Sequence, residues 1–276
     1  IERRGTHSEK WDMMEHKYGV SPDDGIPMWV ADMDFRPPEC VQKAVQDLSE
    51  NGIYGYYGDD TTYKESIKWW MKNRHNWELD TEWIFSTHGL VNGAAICIET
   101  FSKPGDNVIL FTPVYHSFFR VIKAANRTIL ECPLVNNKGR YEFDFSSYDK
   151  LMTGKEKIVI LCSPHNPGGR VWSKQELKDV ADFAQRHDLI LISDEIHHDI
   201  VYPGAQHVPM TSVDENIYDR LVMMTATTKT FNIAGAHTGN VIIPDEKLRQ
   251  EFQLKMAALG ISPNSFGLFM AKTAYS

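Results

Sequence analysis

Six short apolar runs restrict the fold more than any other feature of this chain: Asn107–Phe111, Thr128–Pro133, Ile158–Cys162, Leu189–Ser193, Leu221–Thr225 and Val241–Ile243. Each is of strand length, and most give way to turn-forming residues. Helical periodicity fills the segments between them. Ser173-Lys174-Gln175-Glu176 has the pattern of a capping box, and behind it Leu177, Val180, Ala181 and Ala184 share one face. Leu248, Phe252 and Met256 repeat in the same way after Pro244. Strands that alternate with helices predict an α/β fold with a doubly wound, mostly parallel sheet, because parallel neighbours need a long crossover between them.

Upstream of these runs the chain changes character. Residues 1–36 are mixed polar and aromatic, with Pro27-Met28-Trp29-Val30-Ala31-Asp32-Met33-Asp34-Phe35 as an apolar insertion. Pro37 and Pro38 open a helix carrying Val41, Ala44, Val45 and Leu48 on one face, and Gly52 stops it. A Gly/Tyr loop, Gly52–Gly58, precedes a second helix over about Thr62–Arg74 with Tyr63, Ile67, Trp70 and Met71 on one side. Ser86-Thr87-His88-Gly89-Leu90-Val91-Asn92-Gly93 then leads into a helix through about Phe101. A glycine there lets backbone N–H groups approach an anion, and the helix dipole helps. Asn136-Asn137-Lys138-Gly139 marks a turn.

Charge and cysteine usage exclude several classes. Against 29 basic residues stand 37 acidic ones, a net −8 that disfavours nucleic acid as a partner. No apolar run approaches the length of a membrane span. Four cysteines lie without CxxC spacing, and Cys132 and Cys162, in or near apolar runs, read as reduced core residues, which predicts a cytoplasmic setting. The chain does not begin with Met and stops at Ser276 without an evident end signal, so a missing terminal segment is expected.

In open parallel sheets, ligands bind beyond the carboxyl ends of the strands. Tyr115, Asn166, Asp194 and Lys229 all follow predicted strands. Each alone has a commonplace reading: packing, a turn, a helix cap, a solvated lysine. Together they suit a pyridine-aldehyde cofactor. The amine would form a Schiff base, the carboxylate would pair with the ring nitrogen, the amide would reach the phenolate oxygen and the aromatic ring would stack. Asp194-Glu195-Ile196-His197-His198-Asp199 also admits a metal cluster or a nucleotide-driven acidic box. No second ligand cluster and no Gly-x-x-x-x-Gly-Lys-Ser/Thr loop accompanies it, so no metal is expected.

Four stretches, Pro27–Phe35, Pro164–Trp172, Ser193–Asp199 and Thr228–Gly235, carry a family resemblance. With them the chain, from Arg4 to about Phe252, resembles the fold-type I pyridoxal-phosphate enzymes of the aspartate aminotransferase superfamily. It is most similar to their cystathionine β-lyase/cystalysin branch. The resemblance implies an aspartate-aminotransferase-like large domain over 37–276 with part of a small domain. Residues 1–36 would contribute to the small domain and the active-site rim, and a C-terminal small-domain segment would be missing. It implies that Lys229 carries pyridoxal 5'-phosphate and, once freed, serves as the base at Cα. Asp194 would pair with the pyridine nitrogen, Asn166 with the phenolate oxygen and His197 with the same edge, while Tyr115 stacks. Gly89, Leu90, Val91, Thr225 and Thr228 would hold the phosphate. Tyr56 would reach the phosphate of a neighbouring subunit in a homodimer with shared sites, and Trp29 and Ala31 would border an amino-acid substrate. Two positions depart from the superfamily pattern: Ala226 stands where serine is frequent, and His237 where arginine is frequent. The family's substrate-carboxylate arginine belongs to the C-terminal segment that is absent here. The implied activity is carbon–sulfur β-elimination, with transamination as the alternative and a cofactor-binding regulator as a third reading.

Overall fold

A computed structural model describes all 276 residues. Nine strands form: β1 (Ile84–Thr87), β2 (Asn107–Thr112), β3 (Thr128–Pro133), β4 (Val135–Asn137), β5 (Arg140–Glu142), β6 (Glu156–Cys162), β7 (Ile190–Asp194), β8 (Leu221–Thr225) and β9 (Gly239–Ile242). Seven of them make one sheet in the order β1-β9-β8-β7-β6-β2-β3. Every neighbouring pair is parallel except those involving β9, which runs against both β1 and β8. The registers Cys162↔Asp194 and Asp194↔Met224 bring the carboxyl ends of β6, β7 and β8 to one edge. Thr225↔Asn240 and Thr87↔Gly239 bring the start of β9 and the end of β1 to the same edge. β4 and β5 form a separate hairpin on the anticipated turn, where Gly139 at φ +90° donates its N–H to Asn136 Oδ1 at 2.7 Å.

The helices are α1 (Glu9–Asp12), α2 (Met14–Tyr18), α3 (Glu39–Asn51), α4 (Thr61–His75), α5 (Leu90–Phe101), α6 (His116–Ala124), α7 (Phe145–Tyr148), α8 (Lys174–Arg186), α9 (Thr227–Thr230), α10 (Glu246–Ala258) and α11 (Ser265–Ala274). The sheet is covered on both faces, which explains why its central strands read as unbroken apolar runs. Val159, Leu161, Leu191 and Met223 pack on the side of α4, α8 and α11. Ile158, Ile160, Ile192, Val222 and Met224 pack on the side of α5, α6 and α10. Each such fully buried side chain contributes about 1.5–3 kcal/mol. Truncation of the fully buried Leu191 to alanine should cost about 2–5 kcal/mol through the cavity it leaves.

The mostly parallel, doubly wound expectation holds. The last apolar run is the antiparallel β9, and two elements carried no clear sequence signal. Ile84-Phe85-Ser86-Thr87 has too few apolar residues to stand out as a strand, and α11 lies among small residues. The capping box forms as expected: Ser173 Oγ accepts from Glu176 N at 3.2 Å, and Glu176 Oε2 accepts from Ser173 N at 2.8 Å.

Candidate active site

The lysine sits on the short helix that β8 feeds. Leu221–Thr225 and Ala226 are buried, and α9 begins at once, which leaves Lys229 half-buried at the strand edge. Its Nζ donates to Ala31 O at 3.0 Å. Burial pushes its pKa below the usual lysine range, while the charges of Asp32 and Asp194 oppose the shift. The next three residues fasten this turn in three directions. Thr230 Oγ1 donates to Asp199 Oδ2 at 2.9 Å. The Phe231 ring packs against Trp70 and Tyr275, with centroids 5.4 and 5.9 Å away. Asn232, in the left-handed region at φ +55°, accepts from Met33 N at 2.9 Å and donates to Met33 O and Phe35 O at 2.8 Å.

Asn232 therefore holds the Pro27–Phe35 insertion against the lysine turn. From its other side, Arg3 grips Asp32 with two contacts of 2.8 Å, and Lys10 pairs with Asp34 at 2.7 Å. Of the two residues expected to border a substrate, Ala31 lies on the lysine. Trp29 stands back: its Nε1 donates to Lys10 O at 3.1 Å and its ring packs edge-on against Tyr18.

At the end of β7, Asp194 Oδ1 accepts from Ile196 N at 3.1 Å, and no protein donor reaches Oδ2. Burial pushes this carboxyl up to about 7, a rise helped by Glu195 and opposed by the Ile196 N–H and the Lys229 charge. A cationic N–H facing Oδ2 would restore the ionised form. His197, three residues further on, is pushed down to about 4 by burial and by the Lys229 and His198 charges, so its ring is neutral near pH 7. No protein group bonds the His197 ring or the Asn166 side-chain amide. Both line, with Ala31, an open cleft of about 490 Å³. The Asn166 loop is held from behind. Arg170 meets Glu176 through two contacts of 2.8 and 2.9 Å, donates to Tyr141 O and lies over the Trp172 ring.

An anion site opens beside these groups. β1 ends at Thr87, Gly89 turns the chain at φ +87°, and α5 starts without a side-chain cap. The N–H groups of its first turn are left without helical partners at the sheet edge. Gly239 of β9 makes the approach possible: a Cβ there would sit 3.0 Å from Gly89 C and Leu90 N. Thr228 is buried at the lysine turn with its hydroxyl unpaired by protein, and the neighbouring Thr227 Oγ1 is buried without a partner. Thr225 is engaged elsewhere. Its hydroxyl accepts from Asn240 Nδ2 at 3.2 Å, and Tyr63 donates to Asn240 Oδ1. That chain lies on the α4 side of the sheet, whereas α5 packs on the opposite face. Tyr115 begins α6 and its ring stands edge-on to Phe118 at 5.7 Å. Tyr56 is fully exposed and lines a different cleft with Phe266 and Phe269, so a single chain does not bring it to the lysine. Ala226 is buried in the apolar layer and carries no hydroxyl, and His237 is exposed.

The unpaired donors at α5, the unpaired acceptor at Asp194 Oδ2 and the desolvated amine of Lys229 fit a phosphorylated pyridine aldehyde. A polar network to which sequence reasoning gave no role in holding the cofactor lies directly behind. Asp199 accepts from Trp70 Nε1 at 3.1 Å and from His75 Nε2 at 2.8 Å, and His198 Nε2 lies 3.1 Å from its Oδ2. Glu195 accepts from Ser193 Oγ at 2.8 Å, Met210 N at 2.9 Å and His207 Nε2 at 2.6 Å. His75, His198 and Asp199 come close enough to suggest a metal. Yet the Asp199 oxygens are already occupied by hydrogen-bond donors, so the geometry is that of a bonded network. The Asp194–Asp199 motif signalled these residues; only their partners were hidden.

Known proteins share this arrangement. The family model for aminotransferase class I and II matches residues 23–276. The chain is 38% identical over 277 residues to cystathionine beta-lyase PatB of Bacillus subtilis, covering 100% of this chain and 71% of that protein. Cystalysin from Treponema denticola, whose crystal structure contains a pyridoxal 5'-phosphate cofactor, superposes with a TM-score of 0.95 at 39% identity, over 100% of this chain and 70% of that one. The PLP-bound C-S lyase from Staphylococcus hominis superposes with a TM-score of 0.90 at 31% identity, over 100% and 69%. With a match that runs from the N-terminal insertion to Ser276 and takes in every element of the strand-end site, the chain belongs to the aminotransferase class I and II family.

Proposed function

We propose that this chain is a pyridoxal-phosphate-dependent carbon–sulfur β-lyase, acting on a sulfur amino acid of the cystathionine or cysteine type to give a thiol, pyruvate and ammonia. The observation that carries the reading is the pairing of a half-buried, depressed Lys229 amine with a buried Asp194 whose Oδ2 lacks a protein donor. The lyase names of PatB and the Staphylococcus hominis protein favour elimination over transamination. When bound, the cofactor supplies an electron sink for the carbanion formed at the substrate Cα.

The chain's own residues would do the rest. Lys229 Nζ would hold the cofactor and, when free, would take the substrate Cα proton. Its lowered pKa keeps a larger share of the amine neutral and ready for that task. Asp194 Oδ2 would accept from the ring N–H and keep it protonated. Asn166 Nδ2 and the neutral His197 ring would hold the oxygen edge, and Tyr115 would lie against the ring. Gly89, Leu90 and Val91 offer backbone N–H groups to the phosphate, with Thr228 beside them. Thr225 supports from behind through Asn240. Ala31 and Trp29 border the substrate. The second, homodimeric copy would supply Tyr56, consistent with the exposed Ile53, Tyr54 and Tyr56. Residues 1–36 form the rim of a large domain over 37–276. No helix is long and apolar enough to cross a membrane, and we place the protein in the cytoplasm on its free cysteines.

Purified protein incubated with pyridoxal phosphate and L-cystathionine tests the assignment. Pyruvate released without any 2-oxo-acid acceptor is the expected result. Product that appears only with an acceptor would establish aminotransferase activity instead. No visible band and no product would overturn the cofactor assignment.

A further inference from the structure

Nothing in the proposed chemistry uses Asp199, although it is the most heavily engaged carboxylate near the site. Its side chain is only 2% exposed. It gathers donors from three separate elements. Trp70 and His75 come from α4, at 3.1 and 2.8 Å. His198 comes from its own loop, 3.1 Å away, and Thr230 from the last position of α9, at 2.9 Å. Trp70, His75 and Thr230 bond this carboxylate directly, and the buried His198 Nε2 lies against it without an aligned hydrogen bond. Burial works against its charge, yet the His198 and His75 contacts hold the carboxyl well below the usual range. Those contacts, and the Glu195 carbonyl, also hold His198 above its usual value against the cost of burial, whereas burial pushes His75 down.

The position of Thr230 gives this network a consequence. It is the residue after Lys229 on a helix of four residues, too short to hold its own orientation. Lys229 Nζ itself is also held by Ala31 O at 3.0 Å, while the Phe231 packing and the Asn232 bonds act on the chain beyond the helix. We propose that Asp199 is a positioning residue: by anchoring Thr230 to α4 it sets the direction and the desolvation of the Lys229 amine at the strand edge. The site's amine is thereby placed by a charge that never touches a ligand. This inference rests on the reading of Lys229 as the reactive amine, but its test does not require turnover.

The reporter is Lys229 itself in cofactor-free protein. The rate of its modification by trinitrobenzenesulfonate, followed by mass spectrometry of the Lys229 peptide across pH, gives the apparent pKa of the amine. Three variants are compared with wild type: Thr230→Val, which removes only the bond to Asp199; Asp199→Asn, which removes the charge; and Ile67→Val, a core change on α4 that removes no hydrogen bond of the network. Both network variants should move the Lys229 profile upward, towards an ordinary lysine, by about one pH unit or more, a tenfold change in neutral amine at a given pH. Ile67→Val should leave it in place. An unchanged profile in Thr230→Val would overturn the proposal, as would an equal shift in Ile67→Val. If Asp199→Asn does not fold, Thr230→Val alone decides. In the loaded protein, kcat for L-cystathionine should fall about tenfold or more in Thr230→Val with KM changed less than about threefold. Wild type without any turnover would sink the lyase reading and leave the modification result to stand by itself.

Discussion

Two sets of polar groups lie within a few residues of each other, and they are satisfied in opposite ways. On the cleft side, Asp194 Oδ2, the Asn166 amide, the His197 ring and the first N–H groups of α5 have no protein partners. Behind them, Asp199 and Glu195 are filled by Trp70, His75, Thr230, Ser193, His207 and Met210. Polar groups held out of water are costly unless they are bonded. The cleft-side groups can keep free bonding capacity because the cleft is open, whereas the groups behind them must find partners within the protein. The same motif, Ser193–Asp199, supplies both, because a turn at a strand end sends successive side chains to opposite sides.

The largest effect on this contrast comes from the cleft side. Lys229→Ala should bring β-elimination to background and remove the visible absorbance band of the loaded protein, without unfolding it, as circular dichroism would show. A folded variant that keeps both band and turnover would move the reactive amine elsewhere.

Asp194→Asn should lower kcat by about 10²–10³, the scale seen when a group aimed at developing charge is lost. The same change should stabilise the cofactor-free protein, with a definite sign in pH. The folded Asp194 carboxyl is raised from 3.8 to about 7 by burial, so its ionisation is opposed in the native state. Wild-type stability from this group is therefore greatest at low pH and is lost as pH rises towards 7. Melting curves should show the variant ahead of wild type at pH 8, with the difference shrinking as pH falls towards 3.8. An advantage that grows on acidification would mean that Asp194 is paired in the cofactor-free protein.

Asn232→Ala tests how the N-terminal insertion is held. Three hydrogen bonds are lost, each worth about 0.5–1.5 kcal/mol. Limited proteolysis should cut within residues 1–36 faster than in wild type, and KM should rise as Ala31 leaves the lysine. Equal cleavage rates would show that the Arg3 and Lys10 ion pairs suffice. The smallest effect is expected far from both sets of groups. Ser173→Ala removes the cap of α8 and should cost about 1 kcal/mol, read as a lower Tm with kcat unchanged.

Much of this molecule is legible in its sequence, for physical reasons that can be named. Central strands buried on both faces must be apolar throughout, so β2, β6, β7 and β8 announce themselves locally, while the edge strand β3 is only partly buried. A residue immediately after such a strand lies at the carboxyl edge wherever the strand sits in the sheet, so Asp194 and Lys229 could be placed without coordinates. The α8 capping box likewise needs only neighbours in sequence. What the sequence left open depends on partners far along the chain. The direction of β9 is decided by β1 and β8 on either side of it, and β1 itself carries too few apolar residues to be recognised alone. Thr225 looks like a ligand for phosphate until Asn240 and Tyr63 claim its hydroxyl from the other face of the sheet. Asp199 reads as part of a metal cluster or an acidic box until α4 folds over it. Local periodicity determines which segments are buried and in what conformation. Only the tertiary structure decides which buried polar groups find one another, because hydrogen-bond partners are set by distance in space and not by spacing in the chain.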